Sequence, residues 1–314
     1  MAKEKVLITG GAGYLGSVAA EHLLDEGHTV TCLDNLMYRQ PSLLHLAHRG
    51  GFEFVYGDAR DEEVLKSLVP KHDVILPLAA IVGEGACNAR QFEAKSTNTD
   101  AVVLINGLRS ASQKLIMPMT NSGYGTTTGD ILCTEETPLN PISLYGQTKV
   151  DAERAILEGD KKGLTLRLAT VFGVSPRMRT DLLVNSFVLK AMTDRYLAIF
   201  EGNFMRNYVH IRDVARAFDH CIRNFESMEG TYNLGLDEAN MSKLDLAKRV
   251  AQFVPGTVIR EDYEGKDPDK RNYIVSNEKI KRTGFKFEHS LDEGIIELMK
   301  AYKILLKLEG TRNN

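Results

Sequence analysis

The stretch Thr9-Gly10-Gly11-Ala12-Gly13-Tyr14-Leu15-Gly16 restricts the fold of this chain more than any other, because it follows the apolar run Val6-Leu7-Ile8 without a break. A strand that feeds a helix through small residues lets backbone approach a diphosphate, and the unpaired N–H groups of the helix N-terminus face its negative charge. Glycines 11, 13 and 16 fit the spacing G-x-G-x-x-G, and glycines 10, 13 and 16 fit G-x-x-G-x-x-G. Either spacing predicts a strand-turn-helix unit for a dinucleotide, with Gly10, Gly13, Tyr14, Leu15 and Gly16 at the phosphates.

The next alternating run, His28 to Leu33, ends at Asp34, eighteen residues beyond Gly16. A carboxylate at that point accepts hydrogen bonds from both adenosine ribose hydroxyls and repels a 2′-phosphate, which favours NAD over NADP. Asn35 follows in place of an arginine, while Arg39 lies near enough to receive a phosphate. NAD is the expected cofactor.

Strand-like runs recur at Val6–Thr9, Thr29–Leu33, Glu53–Tyr56, Asp73–Leu76, Leu115–Met119 and Leu164–Leu168, with helical stretches between them. This alternation predicts an α/β fold, a Rossmann-type doubly wound parallel sheet with right-handed crossovers. All strands then end on one rim. Gly10, Asp34, Asp58, Ala79 and Thr120 each follow a predicted strand and so converge on one cleft. Residues 1–170 are read as the NAD-binding domain. Beyond them the pattern becomes mixed helix and short strand, so 171–314 is read mainly as a smaller mixed C-terminal substrate-binding lobe, with a segment around 206–235 returning to the first domain. The closing stretch Ser290–Leu308 carries apolar residues at 291, 295, 298, 302 and 305, a helical spacing.

Composition narrows the class further. At 314 residues and 43% apolar content the chain can bury a large core, and a net charge of −3 with mixed signs leaves no basic stripe for nucleic acid. No apolar run approaches membrane-spanning length, and Met1-Ala2-Lys3-Glu4-Lys5 leads into the first strand without a signal peptide, so a cytoplasmic protein is expected. Cys32, Cys87, Cys133 and Cys221 are far apart and read as reduced thiols; with the eight histidines scattered, no metal site is expected.

A second constellation bears on chemistry. In Ser143-Leu144-Tyr145-Gly146-Gln147-Thr148-Lys149 a phenol and an ammonium stand at i and i+4, on one face of a helix. The ammonium lowers the phenol's pKa from its usual value of about 10, which suits Tyr145 to act as a base. Taken alone, the pair would be a solvated helical face. Downstream of a dinucleotide turn it points to hydride chemistry.

The Gly10–Gly16 turn, Asp34-Asn35, Tyr56-Gly57-Asp58, Leu78-Ala79-Ala80, Asn98, the run Thr120 to Gly125, Tyr145 to Lys149, and the run Arg206 to Ala215 together resemble the extended short-chain dehydrogenase/reductases of the nucleotide-sugar epimerase and dehydratase type. The resemblance covers nearly the whole chain. It implies that Asp58, with Ala59 beside it, meets the adenine, that the backbone of Leu78, Ala79 and Ala80 lines the cofactor, and that Asn98 supports the sheet end. It also implies a catalytic triad of Thr120, Tyr145 and Lys149. Tyr145 would take a sugar hydroxyl proton while the carbon-bound hydrogen leaves as hydride, Thr120 would hold the sugar oxygen, and Lys149 would bind the nicotinamide ribose and keep Tyr145 partly ionised. A homodimer through the helix of Tyr145 and Lys149 and the helix near Asp100 to Ser110 is implied as well.

The neighbours of Thr120 separate the reactions of such relatives. The 4,6-dehydratases resembling this chain carry Asp-Glu directly after the catalytic threonine, whereas this chain has Asn121-Ser122. An amide and a hydroxyl cannot relay protons as a carboxyl pair does, so elimination is disfavoured. The cysteine of 3,5-epimerising relatives is absent too. Oxidation at C4 remains, as the first half of a nucleotide-sugar 4-epimerase or, alternatively, of a dehydrogenase that releases a 4-keto sugar. A cofactor-binding sensor without catalysis would lack the Tyr-Lys pair. For the substrate, Arg206 and Asn185 match diphosphate-contacting residues, and Ser122 and Thr170 join the candidates. Thr170 stands where an asparagine is usual, and Lys266-Asp267-Pro268-Asp269-Lys270-Arg271 replaces an Arg-Pro-Gly-Asp segment. Arg177, Arg179 and Arg271 are candidates to compensate. These departures point to a specialised sugar nucleotide, GDP-linked or a heptose.

Overall fold

The computed structural model describes residues 3–127, 131–262 and 272–308. Seven strands form one parallel sheet: β1 (Lys5–Thr9), β2 (Thr29–Asp34), β3 (Phe52–Tyr56), β4 (Val74–Pro77), β5 (Lys114–Thr120), β6 (Leu164–Leu168) and β7 (Gly230–Leu234). Their spatial order is 7-6-5-4-1-2-3. The order reverses at β1, which pairs with β2 on one side and β4 on the other, and a crevice opens at that switch point beyond the strand ends. Every residue of β4 and β6 is buried, as expected for parallel strands covered on both faces.

Successive side chains of β1 serve opposite layers, because a strand repeats every second residue. Val6 and Ile8 pack with Ala19 and Leu23 of helix α1 (Tyr14–Asp25), while Leu7 packs on the other face with Val102 and Ile105 of α2 (Ala101–Leu108) and Val150 and Ile156 of α3 (Leu144–Leu157). Beyond β6 the chain makes Thr170–Phe172, then α4 (Leu183–Thr193), and returns through Tyr208–His210, which pairs in parallel with Thr170–Phe172. Helix α5 (Ile211–Arg223) then packs on α1 and delivers the chain to β7. A second core joins Val184 and Val188 of α4, Leu246 and Val250, and Ile295 and Leu298 of α6 (Leu291–Leu305). Helix α6 starts at a capping box, in which Ser290 and Glu293 satisfy each other's backbone N–H groups.

All six strands read from the sequence are present, displaced by at most a residue at an end. β7 was not among them. Gly230-Thr231-Tyr232-Asn233-Leu234 is short and carries Gly and Asn, both poor strand formers, and it is held by pairing with β6 far earlier in the chain.

Candidate active site

The cleft at the switch point is built by glycines whose side chains would not fit. Gly10 has φ +73°, and a Cβ there would lie 2.6 Å from the Ala79 nitrogen; a Cβ on Gly16 would collide with the Gly10 carbonyl oxygen. Gly13 is the N-cap of α1 and offers no side-chain cap, so first-turn N–H groups are left for an anion. Asp34, at the end of β2, accepts from Ala12 N at 3.0 Å and Leu36 N at 2.8 Å. Each carboxylate oxygen keeps a lone pair for a ribose hydroxyl. Burial raises the Asp34 pKa.

Asp58 accepts from Arg60 Nε at 2.9 Å, Arg60 Nη2 at 2.7 Å and Asn35 Nδ2 at 3.3 Å. The Arg60 hydrogen bonds hold its carboxyl down at about 2. Gly10, Gly13, Asp34, Asn35, Asp58, Ala59, Leu78, Ala79 and Ala80 all line this cavity, as does Arg39, and Tyr38, Arg60 and Ile81 join them without having been expected there. Arg60 carried a usable signal, since a guanidinium two residues after a carboxylate can fold back on it in a turn. Tyr38 carried none.

Two residues expected at the phosphates turn their side chains inward. Tyr14 Oη donates to Gly173 O at 2.8 Å and accepts from Asn185 Nδ2 at 3.2 Å, and burial pushes its pKa up. Leu15 packs against the core beneath the sheet. Both are left to meet a ligand through their backbone alone.

Thr120 is the last residue of β5. Its Oγ1 accepts from Ser122 N at 3.1 Å, capping the short turn Asn121–Tyr124, and lies 2.8 Å from Ser122 Oγ. The first turn of α3 packs against this point: Ser143 Oγ accepts from Gly146 N at 3.1 Å, and a Cβ on Gly146 would lie 3.3 Å from Ser122 O. Tyr145, in the same turn, packs with Ile81, Cys87 and Ala94. Asn98 joins the two sides of the cleft. Its Oδ1 accepts from Ile81 N at 2.8 Å, and its Nδ2 donates to Ile81 O at 3.0 Å and Thr148 Oγ1 at 3.1 Å. Asn98 sits in a π-helical turn, Ser96–Asp100, a local widening that periodicity does not reveal.

Lys149, one helical turn after Tyr145, is 4% exposed. Burial pushes its pKa down to about 8, and Glu153 opposes that shift. Glu153 is itself buried and accepts from Arg167 Nη2 at 2.7 Å, Thr165 Oγ1 at 2.8 Å and Thr231 Oγ1 at 3.2 Å. It therefore ties α3 to β6 and β7. A positive charge held in this poorly polarisable interior acts on a nearby phenol more strongly than it would in water.

The substrate candidates divide into separate places. Ser122 is buried against Thr120. Thr170 N donates to Asn207 O at 2.9 Å, beside Arg206, whose Nη1 donates to Met205 O at 2.9 Å and whose guanidinium carbon lies 5.9 Å from the Tyr273 ring. Arg179 Nε donates to Asp181 at 2.7 Å, and Tyr145 lies near enough to act on its charge. Arg177 stacks on Tyr38. Asn185, expected at a phosphate, is fully buried. Its Oδ1 accepts from Gly173 N at 3.1 Å and its Nδ2 donates to Arg179 O at 2.9 Å, so the amide is spent on holding its own neighbourhood. Arg271 lies outside the described residues. All four cysteines are buried thiols, and among the described residues no group of three or more His, Cys, Asp or Glu side chains could hold a metal ion.

The sequence model of the NAD-dependent epimerase/dehydratase family matches residues 6–235. The chain belongs to that family. Among its relatives is the low-salt glycan biosynthesis protein Agl12 of Haloferax volcanii, 28% identical over 304 residues that cover 92% of this chain and 96% of Agl12. The UDP-glucose 4-epimerase of Lactobacillus helveticus is 28% identical over 335 residues, covering 95% and 97%. In fold, the chain is similar to the UDP-glucose 4-epimerase of Thermus thermophilus solved with NAD, at a TM-score of 0.81, 22% identity and coverage of 95% and 99%. The NAD-dependent epimerase/dehydratase identity makes this protein an enzyme and NAD its cofactor. The residues present fit that cofactor: Gly10 and Gly16 let the turn pack so closely on Ala79 and on itself that no side chain fits there, Gly10, Gly13 and Asp34 line the cavity, and the helix end at Gly13 carries no side-chain cap.

Proposed function

We propose that this enzyme inverts C4 of a nucleotide-activated sugar. The observation that carries the reading is Thr120 at the end of β5, followed by Asn121 and Ser122 and not by two carboxyl groups, with the first turn of α3, which holds Tyr145 and leads to Lys149, packed against the same point. These groups can move one proton at a hydroxyl, and they lack the acid and base that elimination of water requires. The full-length similarity to a UDP-glucose 4-epimerase supports the same reading.

Bound NAD supplies an acceptor for the hydride of the sugar carbon. Tyr145 takes the proton of the C4 hydroxyl and returns it once the opposite face is presented. Thr120 orients the sugar oxygen, with its own oxygen fixed by Ser122 N. Lys149 lowers the cost of the phenolate. Arg206 offers a guanidinium fork for the substrate's diphosphate, beside Thr170. The substrate in this reading is a specialised sugar nucleotide, GDP-linked or a heptose. A homodimer through α2 and α3 belongs to the same proposal, supported by the exposed apolar Val103 and Leu157 on those helices.

Incubation with UDP-, GDP-, CDP- and dTDP-sugars, followed by NADH absorbance and by NMR of the product, tests it. An inverted C4 without net NADH is expected. Stoichiometric NADH with a released 4-keto sugar, or loss of water from C5 and C6, refutes the epimerase.

A further inference from the structure

The segment from Gly173 to Arg179 crosses the first turn of α1 and is fastened there. Tyr14 Oη donates to Gly173 O, and Ser175 Oγ donates to Tyr14 O at 2.7 Å and lies 3.1 Å from Ser17 Oγ. Ser175 Oγ also accepts from Arg177 N at 3.2 Å. The strap is therefore built on the helix whose uncapped N-terminus opens the dinucleotide cleft.

From this strap Arg177 reaches the opposite wall. Its guanidinium carbon lies 4.0 Å from the centre of the Tyr38 ring, and Tyr38 lines the cleft with Gly10, Gly13 and Asp34. Stacking on a phenol holds the plane of the guanidinium. Arg177 Nε is buried and has no hydrogen-bond partner among the described residues. A buried N–H on a permanent cation is costly when unpaired, so this donor calls for an acceptor that the protein does not provide. An anion suits this donor, because the guanidinium is a permanent cation with Arg179 beside it, and the Asp34 and Asp181 carboxylates that also act on it give its Nε no hydrogen bond.

We propose that Arg177 is a cofactor-binding residue, donating from Nε to the diphosphate of NAD, and that its stack with Tyr38 closes the cleft over the bound dinucleotide. This moves Arg177 from the sugar-nucleotide side to the cofactor side. Its neighbours decide the assignment: Tyr38 and Asp34 belong to the cofactor cavity, whereas Thr170 and Arg206 lie elsewhere. The inference rests on the family's NAD dependence and stands apart from the C4 reading. Its consequence for any enzyme that returns its hydride is retention, since the reduced cofactor must stay in place until the second transfer.

The test compares wild type with Arg177→Ala, Arg177→Lys and Tyr38→Ala. It measures NAD retained through purification, the Kd and dissociation rate of NAD by calorimetry and stopped-flow, and the Kd of UDP and of GDP for NAD-loaded protein. Arg177→Ala should weaken NAD about tenfold or more, as expected for a charged hydrogen bond, and speed its release. Tyr38→Ala should move both quantities in the same direction, and binding of UDP and GDP should not change. Weakened UDP or GDP binding with unaltered NAD affinity overturns the proposal and returns Arg177 to the substrate. Unaltered NAD affinity in Arg177→Ala overturns it equally. Should Arg177→Ala fail to give a native circular dichroism spectrum, Arg177→Lys and Tyr38→Ala decide, and wild-type NAD affinity in both refutes the clamp.

Discussion

Replacing Lys149 with methionine should stabilise the folded protein while destroying its activity. The side chain titrates at 10.5 when unperturbed, and burial brings it to about 8. Those values differ by roughly 2.5, and at about 1.4 kcal/mol for each the native state loses about 3 kcal/mol by keeping the ammonium charged near neutral pH. The sign follows from proton counting. Between about pH 8 and 10.5 the unfolded chain holds this proton and the folded chain has released it, so the unfolded state binds more protons and stability rises with pH. Below about pH 8 the whole penalty is present, and above 10.5 none of it is. Methionine has similar length and no charge to desolvate. Urea denaturation of NAD-free wild type and Lys149→Met should therefore show the variant ahead by up to about 3 kcal/mol near pH 7, with the gap closing as pH rises through that window. A difference between the two proteins that stays constant from about pH 7 to 10 refutes the argument, whatever its size.

Tyr145→Phe should lower turnover by about a hundred-fold to ten-thousand-fold, the usual worth of a general base, with NAD affinity and melting temperature kept; wild-type turnover would dismiss Tyr145 as the base. Glu153→Gln leaves Arg167 buried without its carboxylate partner at 2.7 Å, so a loss of about 3–5 kcal/mol is expected in chemical denaturation, and an unchanged midpoint would contradict it. Gly16→Ala pushes a methyl into the Gly10 carbonyl and to 2.8 Å from Gly11 Cα, which should abolish NAD binding measured by calorimetry; wild-type affinity would show that the turn can yield.

The cofactor cleft was largely legible because its parts are local. The glycine turn, Asp34, Asp58 and Thr120 each sit at the end of an apolar run, and Tyr145 and Lys149 are one helical turn apart, so spacing alone places them on a rim and on a face. What escaped depends on distant chain segments meeting. β7 exists because β6 offers it a partner, and Asn233 within it is held by Tyr124 Oη at 2.6 Å. Asn185 looked like a ligand contact by position, yet its burial follows from the way α4 packs behind Gly173. The contact between Arg177 and Tyr38 joins distant segments of the chain, and neither residue's neighbours in sequence announce the other.

The position of β7 also sets the order in which this protein can be made. β6 ends at Leu168, and the strand that covers its outer side begins only at Gly230, after the chain has passed through α4, Tyr208–His210 and α5. Closing so long a loop is entropically slow, and sheets held by distant pairings fold late. During synthesis a strand whose side chains are all destined for the interior therefore waits with one row of backbone groups unpaired, an invitation to edge-to-edge association between nascent chains. A polypeptide ending at residue 170 would remain in that condition permanently, which makes the first six strands kinetic dependants of the segment that follows them.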